Sequence, residues 1–183
     1  MGYEFKSHRR QFFLQLEIKS GDNILKTIIV YYTFEGNCAI IAKMLESSIN
    51  AKTLRIKTLA DKKRKKAGGF FWGMSQMFFN RKPSLVPYDF NVNDWDLIIL
   101  GMPVWAGDPV PAMQSFLKNT KISGKKVALF CTHAGNTGST METLKALLAE
   151  NTIVGEIDFK SPKKSAPDEL QKSIDEWAKT FAK

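Results

Sequence analysis

The chain has 183 residues, the length of one ordinary domain, and 44% of them are hydrophobic while 25% are charged. This composition excludes a collagen, a disordered tail and a low-complexity scaffold, and two cysteines are too few for a disulfide framework and indicate a reducing compartment. The net charge of +9 is concentrated in residues 52–82, which hold ten lysines and arginines and one acid, so a uniformly basic nucleic-acid-binding protein is not indicated.

The apolar runs of the chain are short. None approaches the ~20 residues that cross a bilayer, so we expect no stable insertion into a membrane. The apolar stretch at 12–16 is too short for the core of a signal peptide, and charged residues follow it at once. We therefore expect residues 1–24 to be a leader outside the fold. Residues 25–183 are expected to form one cytoplasmic domain with a basic, aromatic-rich segment at 60–92.

Hydrophobic periodicity predicts strands and helices that alternate along the chain. The predicted strands are 26–33, 52–59, 96–101, 125–132 and 153–159, and the predicted helices are 37–49, 110–118, 140–149 and 167–182. The second and fifth strands alternate apolar and polar residues, as edge strands do, and the other three read as buried on both faces. Asn50 is expected to end the first helix, and Thr140 is expected to be the N-cap of the third.

Strands that alternate with helices indicate an α/β protein with a parallel sheet covered by helices on both faces. With right-handed crossovers and five strands, the doubly wound order 2-1-3-4-5 is favoured. Ligands of such sheets bind beyond the carboxyl ends of the strands, beside strand 1, where the strand order reverses. The loops at that edge are 33–38, 102–109 and 132–139, and we expect them to determine the function.

The first of these loops joins a buried strand directly to a helix. It runs Thr33-Phe34-Glu35-Gly36-Asn37-Cys38. Gly36 permits a close approach of the backbone, and the free N–H groups at a helix N-terminus can hold an anion. The alternative is an ordinary tight turn in which Asn37 caps the helix.

The second loop carries one large aromatic side chain, Trp105, among small residues and prolines. Its neighbours are Pro103, Val104, Ala106 and Gly107. A tryptophan at the edge of a sheet is well placed to stack on a flat ligand. The alternative is that it caps the helix that follows.

The third loop begins Thr132-His133-Ala134-Gly135. Its small residues leave backbone N–H groups free to bond a planar heterocycle, and His133 could carry a proton near neutral pH. The alternative is that His133 is an ordinary polar loop residue.

Taken in order, the three loops resemble those of the flavodoxin family. The phosphate loop of that family, Ser/Thr-x-Thr-Gly-Asn-Thr after strand 1, is similar to residues 33–38. Residues 96–101 look like the third strand of the family, and residues 102–107 look like its first flavin-ring loop. Residues 126–132 look like its fourth strand, and the loop after them looks like its second ring loop. The segment 68–83 is similar to one in a subgroup of bacterial flavodoxin-like proteins.

The resemblance implies non-covalent binding of FMN and redox chemistry performed by the flavin. By this resemblance, the phosphate would be held by Thr33, Phe34, Gly36, Asn37 and Cys38. One side of the ring would be flanked by Trp105 with Pro103, Val104, Ala106 and Gly107, and the other side by Thr132, His133, Ala134 and Gly135. The implied function is electron transfer. The alternative is an FMN-dependent NAD(P)H oxidoreductase that acts on quinones or other small acceptors.

Two departures from the family pattern lie in the phosphate loop. Glu35 and Cys38 stand where the family has threonines, which places a carboxylate near the phosphate and a weaker donor at the helix start. A third hypothesis is therefore a flavodoxin-fold interaction module that has lost FMN.

Several other sites are excluded by the residues present. No aspartate ends the third strand, where receiver domains need one, and neither a Gly-x-Gly-x-x-Gly fingerprint nor a P-loop occurs. Two histidines and two widely spaced cysteines offer no zinc site. Cys38 opens the first helix, directly after strand 1, and Cys131 lies near the end of strand 4; these strands are not neighbours in the expected order, so we expect two buried free thiols.

The basic run Lys62 to Lys66 predicts a docking patch for a redox partner protein with an acidic surface, or a contact with a membrane surface. The alternative is a solvated charged face. The aromatic residues next to the run form one block instead of alternating with the basic residues, so we expect no nucleic-acid binding.

Overall fold

The order of elements is that of an α/β protein, as the computed structural model shows for residues 25–59 and 82–182. The strands are β1 Thr27–Tyr31, β2 Lys52–Arg55, β3 Leu97–Trp105, β4 Asp108–Pro109, β5 Lys126–His133 and β6 Thr152–Lys160. The helices are α1 Asn37–Ile49, α2 Pro111–Thr120, α3 Thr140–Leu147 and α4 Pro167–Ala178. The expected leader 1–24, the basic run Lys62 to Lys66 and the aromatic block at 68–79 lie outside the described residues.

The sheet has the order β2-β1-β3-β5-β6, and all four of these pairings are parallel. This is the predicted order 2-1-3-4-5 for the five long strands, and the prediction is confirmed. The register places Ile29 of β1 opposite Ile99 of β3, and Ile99 opposite Ala128 of β5. All three side chains are fully buried on one face, and Ile98 and Leu100 are fully buried on the other, which is why the central strands are apolar on both faces.

Helices cover both faces of the sheet, as expected. On one face, Phe116 of α2 and Leu144 of α3 pack in the same buried cluster as Leu100 of β3. On the other face, Ile41 of α1 and Ile174 of α4 share a second cluster with the central strands. None of the helices in these two described parts is long and apolar enough to cross a bilayer.

Two predicted local structures differ from those observed. The predicted loop 102–109 is instead a β-hairpin, because β3 continues to Trp105 and β4 pairs with it in antiparallel fashion. Ala106 and Gly107 form the turn at φ values of 50° and 80°, the backbone that a two-residue hairpin requires. The prediction of Thr140 as an N-cap is wrong: Ser139 occupies that position, and Thr140 is the buried first residue of α3. The predicted end of α1 at Asn50 is confirmed by the left-handed backbone of this residue, with φ of 50°.

Backbone hydrogen bonds join the two described parts of the chain next to the end of β2. The N–H of Leu59 donates to the carbonyl of Ser84 over 2.9 Å, and the N–H of Val86 donates to the carbonyl of Lys57 over 2.8 Å. Thr58 and Leu85 form an isolated antiparallel bridge between these bonds. The end of the first described part and the start of the second are therefore held side by side.

Candidate functional site

The three loops singled out in the sequence meet at one edge of the sheet. They follow β1, β3 and β5, which are adjacent and parallel, so their carboxyl ends lie side by side. Of the predicted site residues, the buried ones are Thr33, Cys38 and Thr132, the partly buried ones are Phe34, Gly36, Asn37, Pro103, Val104, Trp105, Gly107 and His133, and the exposed ones are Glu35, Ala106, Ala134 and Gly135.

The N-terminus of α1 has no side-chain cap. Gly36 is the N-cap, at a φ of 95° that favours glycine, and the first intrahelical bond runs from the N–H of Ile40 to its carbonyl over 3.2 Å. The amides of residues 37–39 therefore have no partner within the helix. No acidic residue lies in the first turn, so these amides can hold an anion. The alternative in which Asn37 caps the helix is wrong, because its side chain instead accepts a hydrogen bond from the N–H of Lys163 over 3.3 Å.

Thr33 shapes the turn that leads into α1. Its hydroxyl oxygen accepts a hydrogen bond from the N–H of Gly36 over 3.0 Å, and the threonine is 5% exposed. An accepting hydroxyl keeps its own hydrogen, so Thr33 can still donate.

The thiol of Cys38 connects the first loop to the third. Its Sγ lies 3.1 Å from the hydroxyl oxygen of Thr132, and both side chains are buried. The group of Cys38 that can face a ligand is therefore its backbone N–H. Cys38 and Cys131 are both free and buried, which confirms that prediction.

Both thiols are held in the uncharged form by burial. Burial raises the pKa of Cys38 to about 12, although its hydrogen bond with Thr132 acts in the opposite direction. Burial also raises the pKa of Cys131 to about 12, with a smaller contribution from the charge of Asp158. Because the thiolate is the reactive form, neither cysteine is a candidate nucleophile.

Trp105 ends β3 and is held by two aromatic contacts. Its ring meets Tyr32 edge-on at a centroid distance of 6.1 Å and Phe34 at 5.8 Å. These ring contacts are with the end of β1 and the first loop, whereas the N-cap of α2 is Val110. Trp105 therefore lies beside the uncapped helix N-terminus, with part of its side chain accessible to a flat ligand.

His133 ends β5 and pairs with a carboxylate that the sequence analysis did not identify. Its Nε2 lies 2.8 Å from Oδ2 of Asp158, and its side chain is 7% exposed whereas that of Asp158 is 53% exposed. If the ring donates through Nε2, its other nitrogen, Nδ1, is an acceptor, and this atom is buried without a hydrogen-bond partner among residues 25–59 and 82–182. The pair could not have been read from the sequence, because it depends on the register between β5 and β6.

The second and third loops contact each other through a group of four residues, which we call the loop clasp: Gly107, Asp108, Gly138 and Ser139. The hydroxyl of Ser139 lies 3.0 Å from a carboxylate oxygen of Asp108 and 3.2 Å from the carbonyl of Gly107. A Cβ on Gly138 would lie within 2.9 Å of the Cα, C and O atoms of Gly107. The two loops can approach this closely because Gly138 has no Cβ, whereas a Cβ on Gly107 would lie 3.4 Å from the Cα of Gly138.

We expect Gly138→Ala to destabilise the protein by about 2 kcal/mol, since an L-residue in the left-handed region costs ~1–2 kcal/mol and the backbone overlap adds to it. Gly138 has a φ of +55°. The matched control is Gly135→Ala in the same loop, where an added Cβ meets no atom of the described residues within 4 Å. The control should stay within ~0.5 kcal/mol of the wild type in urea unfolding. Equal losses in the two variants would contradict the loop clasp.

Two cations at the same edge of the sheet were not identified from the sequence. Lys163 lies in a short 3-10 turn after β6, and its ammonium donates to the carbonyl of Glu35. Arg55 ends β2, and its guanidinium donates to the carbonyl of Thr33 over 3.4 Å. The sequence could have indicated both residues, because each lies at or just after the end of a strand, at the edge of the sheet that also holds the first loop.

No family model matches this sequence, and no curated protein matches it. The structure is similar to that of a flavoprotein in complex with FMN from Lactobacillus acidophilus, at 21% identity and a TM-score of 0.64, with 84% of this chain and 99% of that chain covered. It is similar to two-electron reduced flavodoxin from Megasphaera elsdenii, at 21% identity and a TM-score of 0.56, with the same coverage of 84% and 99%.

A third similar structure is the flavodoxin, WrbA-like protein from Agrobacterium tumefaciens, at 16% identity and a TM-score of 0.59, with 85% of this chain and 94% of that chain covered. All three comparisons span nearly the whole of the other chain, so the similarity covers the complete fold of those proteins. The resemblance carried by the three loops is therefore confirmed in the fold, and the chain is a flavodoxin-like α/β protein.

Proposed function

We propose that this protein binds FMN non-covalently and transfers electrons between redox partners in the cytoplasm. The observation that carries the proposal is the uncapped N-terminus of α1 next to Trp105, at the edge of the sheet where such folds bind ligands. When bound, FMN supplies the redox chemistry, and the protein supplies position and electrostatics.

The residues present fit the phosphate of FMN. The free amides of residues 37–39 point out of the helix N-terminus, and Thr33 can add a hydroxyl donor. Gly36 has a φ of 95°, so a side chain at this position would strain the turn that presents these amides. The carboxylate of Glu35 is exposed to solvent, so water reduces its repulsion of a bound phosphate.

The flavin ring is assigned to the space between the hairpin at Trp105 and the loop that begins at His133. Trp105 would lie along one side of the ring, and the backbone of Ala134 and Gly135 would bond its edge. The support is the position of these residues: Trp105 is half-buried and fixed by two neighbouring rings, while Ala134 and Gly135 are exposed.

The first experiment is a titration of the purified apoprotein with FMN, followed by flavin absorbance and fluorescence. We expect one-to-one binding with quenched flavin fluorescence. NAD(P)H consumption with a quinone, by the protein alone, should then be slow; fast turnover would favour the oxidoreductase alternative. Failure to bind FMN, FAD or riboflavin would overturn the proposal and favour the interaction module.

Substitution of Trp105 tests the placement of the ring. Trp105→Ala should weaken FMN binding about tenfold or more, since an aromatic pair contributes ~0.5–1.5 kcal/mol beyond the area it buries and 1.4 kcal/mol is tenfold. Trp105→Phe should retain most of the affinity. The control is Trp95→Phe, two residues before the same strand begins and far from its carboxyl end, which should bind FMN like the wild type. Equal affinity for Trp105→Ala and the wild type would exclude Trp105 from the site.

We further propose that the basic run Lys62 to Lys66 docks an acidic face of the redox partner. The support is the sequence: it is the densest group of positive charge in the chain, and electrostatic steering accelerates such encounters. Electron transfer to an acidic partner protein should slow as salt is added, and a rate independent of salt would contradict this proposal.

A further inference from the structure

Lys163 reaches the phosphate loop from a distant part of the chain. Its backbone N–H donates to Oδ1 of Asn37 over 3.3 Å, and its ammonium donates to the carbonyl of Glu35. Its Nζ lies 3.6 Å from the position that a Cβ on Gly36 would occupy. The ammonium is therefore adjacent to the N-cap of α1, on the same loop whose following amides are free.

The turn that carries Lys163 is fixed in place. It spans Pro162–Lys164, and Pro162 is buried. The N–H of Ser161, just before the turn, donates to the carbonyl of His133 over 2.8 Å. The backbone at residues 161–163 is thus bonded to both the first and the third loop. The side chain of Lys163 therefore starts close to the N-terminus of α1.

The ammonium can bind the loop and a ligand at the same time. A lysine has three N–H donors and no acceptor, so a bond to the carbonyl of Glu35 leaves two donors free. The loop also carries the negative side chain of Glu35, which is unfavourable for a phosphate by itself. A cation at a similar distance from the phosphate attracts it as strongly as the carboxylate repels it, so one nearby ammonium can offset this repulsion.

We infer that Lys163 determines the specificity of this site for a phosphorylated ligand, by pairing its ammonium with the phosphate at the N-terminus of α1. The inference rests on the proposed function, since it concerns the same site. Lys163 would make the site bind a phosphomonoester such as FMN more tightly than the same ring system without its phosphate, riboflavin. Arg55 contacts the other side of the loop, at Thr33, and is not included.

The test compares FMN with riboflavin in binding titrations of Lys163→Met. This substitution keeps the backbone N–H that bonds Asn37 and removes the ammonium, with its charge and its hydrogen bond to the carbonyl of Glu35. We expect FMN to bind about tenfold to thirtyfold more weakly than to the wild type, and any riboflavin binding to change less than twofold. The matched control is Lys164→Met, which removes the same charge from the adjacent exposed residue and should change FMN affinity less than threefold.

Salt dependence provides a second readout. The affinity of the wild type for FMN should fall as sodium chloride is raised, and this dependence should be weaker in Lys163→Met than in Lys164→Met. An equal loss of FMN and riboflavin in Lys163→Met would indicate a structural role and overturn the inference. Unchanged FMN affinity in Lys163→Met would overturn it as well.

Inorganic phosphate separates this inference from the proposed function. If the wild type bound no FMN, the proposed function would fail, but the anion site can still be measured by thermal unfolding in phosphate and in chloride at equal ionic strength. We expect phosphate to raise the Tm of the wild type and of Lys164→Met by a few degrees, and to leave that of Lys163→Met unchanged. Equal responses of all three proteins, including no response, would contradict a role of Lys163 in anion binding.

Discussion

Gly101→Ala should lower the free energy of unfolding by about 3 kcal/mol or more, because overpacking in a core costs ~1–3 kcal/mol and more where nothing can move. Gly101 lies in β3 directly opposite Phe130 of β5. A Cβ at this position would lie within 2.6 Å of three carbon atoms of the Phe130 ring. The ring is fully buried in the centre of the sheet, so it cannot move into solvent. Urea unfolding followed by circular dichroism measures the loss.

A double-mutant cycle provides the control for this prediction. Phe130→Leu removes the ring and by itself should destabilise the protein through a cavity. In the Gly101→Ala/Phe130→Leu variant, the alanine should cost much less than in the wild type, so the two losses should not add. Additive losses would show that the cost of Gly101→Ala comes from the backbone of β3 and not from the ring.

The stability of the protein should fall steeply above pH 9 because of its two buried thiols. Burial raises the pKa of both Cys38 and Cys131 from 9.0 to about 12 in the folded state. Between these values the unfolded chain loses thiol protons that the folded protein keeps, so alkali favours unfolding. From pH 8 to pH 10 each thiol should remove about 1.4 kcal/mol from the free energy of unfolding, which a series of urea titrations measures.

Alanine variants separate the thiols from other alkaline effects. Cys38→Ala and Cys131→Ala should each be less stable than the wild type near neutral pH, because each leaves a cavity. Each should nevertheless remove about half of the loss between pH 8 and pH 10. Tyr31 also has a raised pKa, chiefly through burial, but it starts from 10.0 and adds its effect mainly above this range. A pH dependence that the alanine variants leave unchanged would exclude the thiols as its cause.

The sheet and its order could be predicted from the sequence because a strand buried on both faces is an uninterrupted run of apolar residues. Runs such as 96–101 are apolar without interruption, and the segments between them have the periodicity of helices. The three loops of the site followed from the strand order, since parallel strands end at the same edge. The geometry of the loops was harder to predict from the sequence. The hairpin after β3 depends on positive φ values at Ala106 and Gly107, and alanine is not a residue that indicates a positive φ.

The contacts between distant segments could not be predicted. His133 meets Asp158 only through the register of β5 and β6, which includes a bulge between Val127 and Ala128. Lys163 lies 126 positions along the chain from Asn37, and nothing in its local sequence distinguishes it from Lys164. Periodicity identifies the faces of strands and helices, whereas these pairs depend on how far each strand is shifted against its neighbour.

The paired backbone at Leu59 and Ser84 makes the domain modular. The entropy cost of closing a loop grows only with the logarithm of the loop's length. Extra residues between two positions that are already hydrogen-bonded to each other therefore cost little free energy. Chain length can therefore change between these two positions while the strands keep their partners and the loops of the site keep their supports. The residues between these positions include seven basic side chains and one acid, or +6 of the net charge of +9, and this charge can change in evolution separately from the edge of the sheet where β1, β3 and β5 end.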